Sequence, residues 1–92
     1  METVIAEPKE SVVAVTETVS CYTVVLHNDD VNTFDFVIDT LVDVCSHSSV
    51  QAEQCAYLVH FKGKCDVKRG TFTDLKAIRN ELNRRGLTAT IE

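Results

Sequence analysis

The chain has 92 residues, 45% hydrophobic and 25% charged, with a formal net charge of −5. That length supports one small domain with a modest core, and the composition is that of a globular protein. The acidic balance weighs against nucleic acid as the main partner.

Residues 1–20 read as a flexible tail, because acids and Pro8 interrupt the Val and Thr residues and no period is sustained. Residues 21–92 read as the folded domain. Cys21 to His27 alternates, with Tyr22, Val24 and Leu26 on one face and Thr23, Val25 and His27 on the other, which predicts a strand. Asn28-Asp29-Asp30 ends it, since Asn and Asp side chains satisfy turn backbone groups. A first helix is predicted with Asn32 as N-cap, Asp35 in a capping-box position, and a buried stripe of Phe34, Val37, Leu41 and Val44 or Cys45.

Ser46-His47-Ser48-Ser49 breaks that pattern. Ser48 is suited to cap a second helix with Gln51 three residues on, its inward face being Ala52, Cys55, Ala56 and Val59, and Gly63 closing it after Phe61. Lys64 to Val67 is a short strand and Lys68-Arg69-Gly70 a turn. A third helix is predicted over Phe72 to Arg85 with Leu75, Ile78 and Leu82 facing in and Gly86 as its stop. Leu87 to Ile91 alternates and reads as a last strand. The expected fold is α+β, in the order β-α-α-β-α-β: a three-stranded, mostly antiparallel sheet with helices on one face.

Charge is unevenly placed: no Lys or Arg lies between Glu10 and Phe61, whereas Lys62 to Arg85 holds eight. The bland reading is two solvated faces; the sharper one is an acidic half that attracts a cationic ligand and a basic half that meets an acidic protein. The longest apolar run, around Val42 to Cys45, is broken by Asp43, and Glu2 with no basic stretch beside it is unlike a secretory leader. No membrane contact is expected. Cys21, Cys45, Cys55 and Cys65 are spaced by 24, 10 and 10 residues, without a C-x-x-C pair, so buried thiols in a reducing cytoplasm are expected instead of zinc ligands or disulfides.

The residues with most chemical content are Asn28, Asp29 and His60. An α-ammonium group has three donors and a positive charge, and a carboxylate, an amide oxygen and a neutral imidazole nitrogen would supply three acceptors with one negative charge. The competing reading is structural: Asn28 and Asp29 shape a turn, and His60 is a satisfied, partly buried histidine. Two further readings are a divalent-metal hydrolase using Asp29, Asp30 and His60, and nucleic-acid binding by the basic 62–85 region. Adjacent carboxylates on a turn diverge, and Phe72 is the one aromatic among those bases, so both rank low. A cysteine nucleophile with His47 or His60 lacks an orienting group.

Leu26-His27-Asn28-Asp29-Asp30, the helix opening Asn32-Thr33-Phe34-Asp35-Phe36-Val37, the pair Ala52-Glu53 and Val59-His60-Phe61-Lys62-Gly63-Lys64 together resemble the ClpS family, with no gap between Asn28 and Lys64. The closing Leu87 to Glu92 is similar to that family's last strand. The resemblance implies a non-enzymatic adaptor, without cofactor or metal, that brings N-degron proteins to a Clp-type AAA+ unfoldase and its protease. It implies that Asn28, Asp29 and His60 bind the α-amino group of a first residue such as Leu, Phe, Tyr or Trp. Asp30 would border the site, and Asn32, Phe34, Val37, Ala56, Val59 and Leu87 would line a side-chain pocket. The implied partners are N-degron peptides and the unfoldase's N-terminal domain, with a monomer expected and no nucleic acid or membrane. Phe34 stands where the family usually has methionine, and Ala56 where methionine or another large residue is common. The third helix is also shorter than usual.

Overall fold

The computed structural model describes residues 21–92; the tail expected over residues 1–20 lies outside them. The elements are β1 (Tyr22–His27), α1 (Phe34–Cys45), α2 (Ser49–Lys62), β2 (Lys64–Gly70), α3 (Phe72–Arg84) and β3 (Thr88–Ile91). They form an α+β domain whose three-stranded sheet has the order β2-β1-β3, both pairings antiparallel. The expected class and element order therefore hold.

The alternation read in β1 has its physical consequence here. Val24 and Leu26 project into a single core with Val67, Leu75, Leu82 and Ala89, and Tyr22 packs at its edge. From α1, Leu41 and Cys45 are buried in that core, and from α2, Ala52, Cys55 and Val59. The helical stripes thus cover one sheet face.

Three local expectations are corrected. The N-cap of α1 is Thr33, not Asn32: Thr33 is extended (φ −73°, ψ 159°) and its hydroxyl accepts the Phe36 N–H at 3.1 Å. The capping box with Asp35 is therefore absent, although Asp35 still lies in the first turn, where a negative charge suits the helix dipole. The turn expected at Lys68-Arg69-Gly70 is strand, because β2 continues to pair through Lys68, Arg69 and Gly70 with Val24, Thr23 and Tyr22. A register shift between Val24 and Val25 makes this possible, leaving Val67 as the extra residue of a bulge and burying it in the core. The Val67 carbonyl then accepts a 2.7 Å hydrogen bond from His47 Nε2. Finally, Leu87 precedes β3 and is buried as a wall residue.

The remaining helix signals stand. Ser48 accepts the Gln51 N–H at 3.1 Å, and Gly63 ends α2 at φ 95°, a left-handed conformation that glycine adopts without a steric penalty. All four thiols are free, Cys45 and Cys55 buried and Cys65 half-buried. Burial raises the Cys45 thiol to about 11, and burial together with the neighbouring Cys55 raises Cys65 to about 12, which keeps both protonated and poorly nucleophilic.

Candidate functional site

A cavity of about 390 Å³ opens where β1 ends, between α1, α2 and the segment before β3. Asn28, Asp29, Asp30, Asn32 and His60 supply its polar lining. Phe34, Val37, Ala56, Val59 and Leu87 supply the apolar part. The structure thus brings all ten sequence-expected residues to one cavity, although they come from four separate stretches of chain.

Local geometry explains how. The Asn28 N–H donates to the Gly63 carbonyl at 2.9 Å, tying the end of β1 to the C-terminal turn of α2, which carries His60. Asp29 Oδ1 accepts the N–H groups of Val31 and Asn32, both at 2.8 Å, and Oδ2 accepts the Asn32 side-chain amide at 3.0 Å. The turn reading of Asp29 is therefore correct as far as it goes. Burial pushes the Asp29 carboxyl up. The Asn32 backbone and side-chain donors and the Val31 N–H outweigh that effect and hold it below the ordinary carboxylate value. A fixed negative charge results at the cavity.

Asn32 has a second partner. Its amide also donates to the Gly86 carbonyl at 2.9 Å, which connects the Asp29 turn to the backbone just before Leu87. His60 differs from the structural reading, which would make it partly buried and satisfied: it is exposed, and its ring lies edge-on to Phe34 and Phe61 with centroids 6.5 and 4.8 Å apart. An exposed imidazole beside an ionised carboxylate and an amide is free to accept from an incoming donor.

The family model for the ATP-dependent Clp protease adaptor protein ClpS matches residues 17–90. The chain belongs to the ClpS family. It is 37% identical over 62 residues to the ATP-dependent Clp protease adapter protein ClpS of Pectobacterium carotovorum subsp. carotovorum (strain PC1), covering 65% of this chain and 58% of that protein. The corresponding protein of Serratia proteamaculans (strain 568) is 36% identical over 61 residues, covering 64% and 58%. The chain thus spans somewhat more than half the length of these curated relatives. Among solved structures, that of Agrobacterium tumefaciens ClpS2 bound to L-phenylalaninamide superposes with a TM-score of 0.68 at 25% identity, over 80% of this chain and 96% of that one.

Within the ClpS fold, the two departures seen in sequence now have surroundings. Phe34 is half-buried, and its ring lies edge-on to Tyr57 with centroids 5.0 Å apart, so neighbouring rings hold it in place. Ala56 is 2% exposed yet lines the cavity, so the space a longer side chain would fill there is left to the cavity. Two lining residues escaped the sequence reading, Leu26 and His27. Alternation assigned them to opposite sheet faces, and only the termination of β1 at the cavity places both along it. His27 Nε2 and the Thr90 hydroxyl share a 2.9 Å hydrogen bond across to β3.

The competing chemistries find little geometry in this ClpS-family chain. Among the described residues, no group of three or more His, Cys, Asp or Glu side chains converges as metal ligands would. The bases at the end of α3 are already paired, Arg84 and Arg85 with Glu81, and Arg85 also with Asp43 at 2.7 Å. Phe72, the aromatic needed for base stacking, is edge-on to Tyr22 at 5.6 Å. No described helix is long and apolar enough to cross a membrane.

Proposed function

We propose that this protein is an adaptor that binds the free α-amino group and the large hydrophobic first residue (Leu, Phe, Tyr or Trp) of N-degron substrates. It passes them to a Clp AAA+ unfoldase and its protease. Asp29 provides the charge for the ammonium group, with Asn28 and His60 completing the acceptor set. Asp30 and Asn32 border it, and Phe34, Val37, Ala56, Val59 and Leu87 form the side-chain pocket. The observation that carries the reading is the union of a fixed carboxylate, an amide and an exposed imidazole with apolar walls in one cavity. Family membership and the fold shared with a phenylalaninamide-bound ClpS2 support it.

The magnitudes suit a transient adaptor. Charge-assisted hydrogen bonds contribute about 1.5–3 kcal/mol each. Burying a Leu- or Phe-sized side chain adds about 1.5–3 kcal/mol. Rigid-body and ordering costs of several kcal/mol offset part of that sum. Affinity in the micromolar range follows. The protein acts as a cytoplasmic monomer that catalyses nothing itself; ATP hydrolysis and peptide cleavage belong to the partners, reached through the unfoldase's N-terminal domain. Fluorescence anisotropy with peptides beginning Leu, Phe, Tyr, Trp, Ile or Val, each with free and acetylated N-termini, tests the reading. Free-amine peptides beginning Leu, Phe, Tyr or Trp should bind and their acetylated forms should not. Indifference to acetylation would overturn it.

A further inference from the structure

We propose that the Tyr57–Phe61 ring pair beside the cavity is a second subsite, which takes an arginine or lysine side chain at position two of a peptide whose first residue fills the cavity. This rests on the amino-group reading of the cavity and extends it by one residue. Tyr57 and Phe61 are four positions apart on α2 and so share a helix face. Their rings are nearly parallel, 13° apart with centroids separated by 5.7 Å, yet they remain 50% and 70% exposed.

The pair is continuous with the cavity wall. Phe34 meets Tyr57 edge-on at 5.0 Å, and His60 meets Phe61 edge-on at 4.8 Å. Both Phe34 and His60 line the cavity. An extended chain advances roughly 3.3–3.6 Å per residue, so the residue after the one in the cavity comes within reach of these rings. Nothing in the proposed first-residue contacts uses them.

Charge selects the occupant. A planar guanidinium stacks on an aromatic face, and an ammonium group is drawn to the same ring quadrupole. The surrounding acids strengthen that preference: Glu53 lies one turn before Tyr57 on the same face, Asp30 lines the cavity, and Asp35 is in the first turn of α1. Lys62 follows Phe61 but is displaced about 100° round the helix from it. An acidic second residue would meet both an unfavourable field and a π face.

The test compares peptides beginning Phe with Arg, citrulline, Ser or Glu at position two, by anisotropy on the full chain. The Arg peptide should bind ~3–10-fold tighter than its citrulline and Ser counterparts, and Glu weakest. That preference should collapse in Phe61→Leu and Tyr57→Leu. In the complex, the arginine CδH2 protons should shift upfield under the ring currents. Equal binding of Arg, citrulline and Ser would overturn the proposal, as would a preference that survives both substitutions or unshifted arginine protons. Failure of the amino-group reading looks different: acetylated and free peptides would bind alike whatever stands at position two.

Discussion

With Oδ1 of Asp29 accepting from two backbone N–H groups and Oδ2 from the Asn32 amide, about one of its four lone-pair positions stays open to an incoming donor. The same residue thus shapes the turn and keeps a negative charge at the cavity. Its folded pKa lies below the ordinary value, so its stabilising effect is present above the usual aspartate range. That effect is lost as pH falls through the depressed folded value. Asp29→Ala should therefore be less stable than the parent at neutral pH, with the gap narrowing toward about pH 3. Urea unfolding at both pH values measures this, and an unchanged gap would contradict the sign. At Ala56 the question is volume. Ala56→Met should weaken binding of a peptide beginning Trp by about tenfold, with a smaller loss for Leu, because overfilling a packed site costs about 1–3 kcal/mol.

The elements that aim these side chains depend on their ends. Thr33, Ser48 and Thr71 each accept the N–H three residues on, at 3.1, 3.1 and 3.2 Å. Thr71→Ala, remote from the cavity, should lower stability by about 1 kcal/mol in urea unfolding and leave peptide affinity unchanged. Gly63 is more consequential. It has φ 95°, and a Cβ there would meet nothing within 4 Å, so the cost of Gly63→Ala is backbone strain of about 1 kcal/mol. Because its carbonyl receives the Asn28 N–H, that substitution should weaken both stability and ligand binding. Sequence signals announced Ser48 and Gly63 clearly. They misplaced the first cap by one residue, because Asn32 and Thr33 are both good cap residues and the helix begins at Phe34.

Across the whole molecule, the core and the cavity occupy different regions. Leu41, Leu75 and Leu82 are essentially inaccessible in the core, while the cavity sits at the edge where strand, helices and the Leu87 segment meet. Leu82→Ala should cost about 2–5 kcal/mol by urea unfolding. Affinity per folded molecule should remain near that of the parent; a large loss in fully folded protein would show that core and cavity are coupled.

The alternation of Tyr22, Val24 and Leu26, the helical stripes with their Ser48 and Gly63 limits, and the polar turn at Asn28 are local patterns. They determined the class and the element order from sequence alone, because hydrophobic periodicity and turn chemistry are read within a few neighbours. The bulge that buries Val67, the second bond of Asn32 and the exposure of His60 were decided only by the tertiary structure. Each depends on which distant segment arrives beside it, and no local spacing records that.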